Sequence, residues 1–452
     1  MVRSGWKRFA ALLVCTGISF AWAYHIRCSE HDAIRMIDFG EVYHGARCVL
    51  HHEDPYNPNT VLREFQASGG RFSSRPKLAR VALIVVTIGV NLPTALLLLA
   101  PFALLPWGVA QLVWSVLIAT SMVAAISLIC SMGEASSRPL VVFLGCCLLA
   151  NSEQVMAVGN IAGIVVSLCA IAVWCFLTDR HTVAGVLLLA ISLVLKPHDS
   201  GFVWLYFLLA GGVLRRRAIQ TLVVAGVLGL FAALWIAPAS PHWVQELHRN
   251  QVLVSGRGST SDPGPNGLTS GQIGSIDDLQ AFLSILRDDP SFYNPASYLI
   301  GGCLILLWAL TVLRKGFAPE QAWLAIAAIS VLTLLPIYHR PYDAKLLMLT
   351  FPACAMLWEK RGRLRWYAFA FTLAALLATS DLPQALLLIL EESIHVSSST
   401  LSGKAVLALL QPAPLILLAT GCFYLWVYMR YAAGRLAPQR APMVGGGVTF
   451  AE

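Results

Sequence analysis

The 452 residues are 57% hydrophobic, only 12% are Asp, Glu, Lys or Arg, and the mean hydropathy is +0.68. Such a composition excludes an ordinary soluble domain and predicts an all-α polytopic membrane helical bundle. The net charge of +8 does not imply nucleic acid. Its basic residues sit in short clusters between apolar runs (Lys7 and Arg8, Arg215 to Arg217, Arg314 and Lys315, Lys360 to Arg365, Arg430), which is the positive-inside pattern. Eleven cysteines, mostly within apolar runs, form no CxxC or Cys/His motif, so neither a metal nor a cofactor is expected.

The apolar run 9–24 follows Arg3, Lys7 and Arg8, and His25-Ile26-Arg27 stand where a signal-peptide cleavage site would need small residues. An uncleaved first crossing is therefore expected. It delivers residues 25–80 to the outside as a first outer loop of mixed charge. Cys28 and Cys48 share this loop, either as a disulfide or as a free pair. Within it Ile34, Ile37, Val42, Ala46 and Val49 recur at helical spacing, predicting an amphipathic helix lying in the interface.

Residues 81–133 contain no Asp, Glu, Lys or Arg, enough for at least two crossings, broken near Asn91-Leu92-Pro93, Pro101 and Pro106. Two crossings place 134–138 outside and every later basic cluster on the wrong face. An extra crossing or a re-entrant piece within 81–160 is needed to restore parity. Further spans are expected at 139–150, 155–177, 183–195, 200–213, 218–238, 298–313, 320–338, 344–358, 366–380 and 405–429, about 11–13 crossings in all. A second outer loop, 239–297, holds a mobile Ser/Gly/Pro-rich stretch, Ser255–Ser275. There Ser275 and Asp278 resemble a cap for a second interfacial helix. Residues 1–435 read as one membrane domain and 436–452 as a disordered Gly- and Pro-rich tail.

On this topology four polar groups share the outer face: Asp38 to Tyr56, Gln154 to Asn160, Lys196 to Asp199, and His339 to Asp343. They combine carboxylates, cations and aromatics at the bilayer edge. Sugar transfer from a lipid phosphate needs that set: a carboxylate to take the acceptor's proton, a cation for the departing phosphate, and ring faces and amides for the sugar.

Asp38-Phe39, Tyr43, Ala46-Arg47 and Asp54-Pro55-Tyr56 resemble the first-loop signature of the GT-C superfamily. More narrowly, the chain resembles the polyprenyl-phosphate-mannose-dependent mannosyltransferase-like proteins of glycosyltransferase family 87. Leu92-Pro93, Leu105-Pro106-Trp107, Gly159-Asn160, Leu195-Lys196-Pro197, Tyr338-His339 and Tyr342-Asp343 extend the likeness, in order, over about 36–360. The resemblance implies a metal-independent transferase of the plasma membrane, acting on its outer face. It would move a hexose, mannose by default, from a polyprenyl-phosphate donor to a lipid or glycan acceptor, with inversion. Carried onto this chain, Asp38 is the general base. Lys196, Arg47 and Arg340 are expected at the donor phosphate. Tyr43, Asp54, Tyr56, Asn160, His339, Tyr342 and Asp343 are expected around sugar or acceptor.

Simpler readings stand beside these. Asp38 could cap its helix with Glu41 as reciprocal partner, Arg47 could pair with a loop carboxylate, and Asp54-Pro55-Tyr56 could be a turn. Lys196 could snorkel to the interface, and Trp107 and Trp114 could be packing residues. A transporter or flippase for lipid-linked sugars is the rival function. It requires polar residues at mid-membrane depth and two repeated halves. A relative that binds lipid without catalysis is a third possibility.

Overall fold

The computed structural model describes residues 36–74, 76–265, 267, 276–360, 362–380 and 401–433. The expected crossing at 9–24, Cys28, the cap residue Ser275 and the tail lie outside the described residues. The protein is an all-α polytopic membrane bundle. In chain order its helices are α1 Ile37–Leu50, α2 Pro58–Ala67, α3 Pro76–Thr87, α4 Pro93–Ala103, α5 Trp107–Cys130, α6 Arg138–Ala150 and α7 Glu153–Val158. Then come α8 Ala162–Thr178, α9 Thr182–Leu195, α10 Pro197–Ala210, α11 Gly212–Ile236, α12 Trp243–Ser255, α13 Leu279–Leu286, α14 Pro290–Lys315 and α15 Pro319–Leu332. A 3-10 segment, Asp343–Thr350, runs into α16 Phe351–Glu359, followed by α17 Arg363–Ala378, α18 Leu401–Leu410 and α19 Ala413–Ala432.

Among the described residues four helices, α5, α11, α14 and α19, are long and apolar enough to cross a membrane. They leave large apolar side chains outside, such as Leu230, Phe231 and Leu234 on α11 and Leu299 and Leu306 on α14. That is stable only against lipid. Shorter apolar helices pack between them, α8 on α9 and α5, and α15 on α19 and the 3-10 segment.

Contacts define two ends of the bundle. At one, Trp174 Nε1 donates to Ser131 Oγ (3.2 Å), Arg217 Nη1 donates to the Phe176 carbonyl (3.0 Å), and Ser137 Oγ donates to Glu359. The turns carrying Arg138, Arg215 to Arg217 and Lys360 gather there. At the other end the amide of Asn160 meets Asp38, Lys196 meets Asp343, and Lys345 Nζ donates to the Asn151 carbonyl (2.6 Å).

This geometry corrects the expected two crossings in 81–133. Pro93 opens α4, Pro101 lies inside it, and Pro106 stands just beyond its end, so that α3 and α4 have only 12 and 11 residues. At about 1.5 Å per residue they reach roughly 16–18 Å, well short of a ~30 Å hydrocarbon core. Both pack on α1 at the Asp38 end. Within 81–133 only α5, with 24 residues, is long enough to cross. The 131–138 turn therefore lies at the end that holds the basic clusters, as expected if the short α3–α4 pair is the re-entrant piece rather than a full crossing.

Two expected interfacial helices are also revised. Helix α1 is buried on nearly every side. Phe39 stacks on Trp107 and Trp114 at 5.6 and 4.9 Å, and Gly45 lets Leu96 approach so closely that a Cβ would stand 3.1 Å from it. Helix α13 starts at Asp278, whose carboxylate accepts the Ala281 amide (2.9 Å), and it docks through Leu279 N donating to the Leu335 carbonyl (3.0 Å). The expected mobile stretch begins as an ordered wall, with Thr260 and Asp262 buried.

Candidate active site

Lys196 owes its position to a proline. Pro197 ends α9 at Leu195 and opens α10, leaving Lys196 on the break between them with a non-helical backbone. Asn160 owes its position to Gly159, which ends α7 with φ +67°, where a Cβ would strike Phe39 at 2.9 Å. Asn160 Oδ1 then accepts the Ala162 amide (2.8 Å), which fixes the side chain so that Nδ2 donates to Asp38 Oδ2 (2.6 Å).

These residues open on one cavity of about 470 Å³, within the usual range for ligand pockets. Asp38 and Glu41 line it from α1, Asn160 from the α7–α8 turn, Lys196 from the α9–α10 break, and Arg340 and Tyr342 from the segment after α15. Helix α3 and the residue that follows it contribute an apolar stripe, Val81, Val85 and Ile88, at helical spacing. Charged groups and an apolar stripe thus share a single chamber at the end of the bundle away from the basic clusters.

Asp38 is not the helix cap. Met36, in the left-handed region at φ 57°, occupies that position, and Asp38 sits in the first turn with its carboxylate held by Asn160. Burial raises the Asp38 carboxyl above the ordinary aspartate range, although the Asn160 hydrogen bond, Arg340 and Lys196 pull the other way. Burial likewise pushes Glu41 up to about 8, even though it accepts the Val90 amide (2.7 Å). Glu41 is therefore mostly protonated at neutral pH and able to donate a hydrogen bond.

Burial lowers the Lys196 ammonium, but Asp199 (3.6 Å) and Asp343 outweigh it and the net shift is upward, so Lys196 stays charged. It also lies over the Tyr342 ring at 4.8 Å. Arg340 donates to the Tyr338 hydroxyl and, through Nη2, to the Thr260 carbonyl (2.6 Å), while its backbone N–H donates to Asp343 Oδ2 (2.9 Å). Asp343 is fully buried behind Lys196 and Arg340 and is no part of the cavity wall.

Several expected site residues stand elsewhere. Arg47 is turned away from the cavity: Nε donates to Glu64, Nη1 to the Ala103 carbonyl (3.4 Å), and the guanidinium lies 5.8 Å from the Tyr43 ring centroid. The Tyr43 hydroxyl donates to the Leu105 carbonyl (2.7 Å) within the aromatic packing of Phe39 and Trp107. Asp54 accepts the Tyr56 amide (2.9 Å) in a turn, and the Tyr56 hydroxyl donates to the Asn91 carbonyl (2.9 Å) behind the wall. His339 is buried beside Asp199. Arg47, Tyr43, Asp54 and Tyr56 are set back because a local backbone or carboxylate partner satisfies them. We expect Arg47→Ala to lower the melting temperature, costing about 1–3 kcal/mol because Glu64 loses its nearest partner and keeps only His51 and Ser68 among the described residues, while sugar transfer by the folded protein stays within about threefold of wild type. A large loss of turnover would return Arg47 to the site.

Glu41, Asn91, Thr260 and Tyr338 line the cavity and were not among the expected site residues. Glu41 carried a readable signal, standing three residues after Asp38 and hence on the same helix face. Thr260 carried none, lying in a stretch whose composition reads as loop.

The model of glycosyltransferase family 87 matches residues 90–336, more than half of the chain. The chain belongs to glycosyltransferase family 87. No curated protein and no solved structure matches it. As a family 87 member the protein is a glycosyltransferase. The matched span includes Asn160 and Lys196, whereas Asp38 and the Tyr338–Asp343 segment lie outside it. The shared cavity, with the Asn160–Asp38 and Lys196–Asp343 contacts, brings these parts of the family 87 chain together.

Proposed function

We propose that this family 87 protein transfers a hexose, with mannose first in line, from a polyprenyl-phosphate donor to an acceptor hydroxyl on the extracytoplasmic face. One observation carries the reading: the Asp38 carboxylate and the Lys196 and Arg340 cations open on the same cavity, one wall of which is apolar. The acceptor hydroxyl attacks the anomeric carbon and the carbon–oxygen bond to phosphate breaks. The electron pair leaves with the lipid phosphate, and the acceptor's proton passes to Asp38. A single displacement of this kind inverts the anomeric centre. Lys196 and Arg340 stabilise the charge growing on the phosphate. Asn160 orients Asp38, Tyr342 and the protonated Glu41 face the sugar, and the Val81–Val85–Ile88 stripe accommodates the first prenyl units. The gathering of basic turns at the opposite end supports an outward-facing site.

The test is donor consumption and transfer by the full chain in proteoliposomes, given polyprenyl-phosphate mannose, glucose and galactose in turn. Turnover of one donor well above an Asp38→Asn control is expected. Absence of turnover above that control with every donor would overturn the reading.

The Asn160 contact adds a pH signature. The base must be ionised, so activity falls as the pH drops through the raised value of Asp38. Asn160→Ala removes a group that favours the carboxylate, and the acid limb of kcat/KM should move to higher pH, with much of the alkaline plateau retained. A limb that stays in place would mean that Asn160 does not tune the base.

A further inference from the structure

Behind Lys196 lie His198, Asp199 and His339, of which only Asp199 has a part above, as a counter-charge to Lys196. One donor atom from each falls within 4.8 Å of the other two. Asp199 and His339 are almost wholly buried, whereas the His198 side chain is 31% exposed and lines the cavity. His198 Nε2 stands 3.6 Å and His339 Nε2 3.7 Å from Asp199 Oδ1. Those separations are too long for hydrogen bonds. Neither imidazole Nε2 nor either Asp199 oxygen has a hydrogen-bond partner among the described residues.

The tautomer sharpens the problem. His339 Nδ1 lies 2.8 Å from the Ile337 carbonyl, which only accepts, so Nδ1 carries the hydrogen. In the neutral ring Nε2 is then a bare lone pair aimed at a carboxylate oxygen, a repulsive arrangement that a proton or a metal cation between them would relieve. A backbone carbonyl holding the far imidazole nitrogen is also the outer-shell contact that metal-bound histidines use. The Thr333 hydroxyl holds the His198 carbonyl (3.2 Å), so the C-terminal end of α15 braces this side as well.

We infer that His198, Asp199 and His339 bind one divalent transition-metal ion, zinc by preference, with an open position toward the cavity. Two imidazoles and one carboxylate form a three-ligand set suited to such ions. Metal–ligand bonds of about 2.0–2.2 Å place the donor atoms of a tetrahedral site roughly 3.3–3.5 Å apart, close to the two separations observed. Lys196 approaches the other oxygen, Oδ2, at 3.6 Å and leaves Oδ1 to the ion. Charge balance also allows it: with all three carboxyls ionised, Asp38, Asp199 and Asp343 face two cations among the described residues, Lys196 and Arg340, leaving one negative charge in the cluster. The family resemblance implies a metal-independent transferase, so the ion would be a departure from it, and the inference does not depend on which sugar is moved.

The test uses full-length protein purified in detergent with a histidine-free tag, without chelator or added metal. Elemental analysis should find about one transition-metal ion per chain. Protein stripped with chelator and titrated with Co²⁺ should develop visible absorption that saturates near one equivalent. His198→Gln and Asp199→Asn should each weaken that binding at least about a hundredfold, given that even outer-shell losses cost ten- to a hundredfold. Where a variant does not fold, the stripped wild-type protein decides. A metal-free preparation with no Co²⁺ spectrum would overturn the site, as would metal retained equally by folded variants.

Discussion

Asp38→Asn should reduce sugar transfer by about 10²–10⁴-fold, the usual contribution of a positioned general base. The amide keeps the size of the carboxylate but cannot accept the acceptor's proton as a charged base. Stability should not follow activity. Burial already disfavours the charged form of Asp38, so a neutral side chain relieves desolvation and offsets whatever is lost at Asn160. The melting temperature in detergent should therefore be unchanged or slightly higher. Transfer within a few-fold of wild type by the folded variant would remove Asp38 from the chemistry.

Lys196→Met should be damaging twice over. Transfer should fall by about 10²–10³-fold, because a cation aimed at the departing phosphate is lost. Stability should fall by about 3–5 kcal/mol, because Asp343 and Asp199 are left buried without their counter-charge. The two effects separate in a second variant. Lys196→Met combined with Asp343→Asn removes one orphaned charge and should recover part of the melting temperature without recovering transfer. Full activity in that folded double variant would show that Lys196 serves the fold and not the phosphate.

Much of this is legible in the order of residues alone. Pro197 after an apolar run places Lys196 at a helix break, and Leu92-Pro93 and Pro106 mark the ends of α4, since proline acts through its own ring and missing N–H. The four polar segments are visible as islands in an apolar chain, and three of them line the cavity through Asp38, Asn160 and Lys196, with Arg340 and Tyr342 from the fourth. The crossing count in 81–133 is not legible, because apolar composition measures hydrophobicity and not how long an uninterrupted helix is. Nor is the burial of α1. Its polar positions, Glu41 and His44, look solvent-facing in sequence yet lie buried, Glu41 against the Val90 amide.

By itself the sequence determined the membrane class, the helix breaks and the residue types available for chemistry, because hydropathy, proline and glycine act locally. Only the tertiary structure decided which charges meet. Asn160 reaches Asp38 across 122 residues and Lys196 reaches Asp343 across 147, while Arg47, on the same helix as Asp38, is claimed by Glu64. Such pairings are set by how helices pack, and no periodicity along the chain records which face of one element will oppose another.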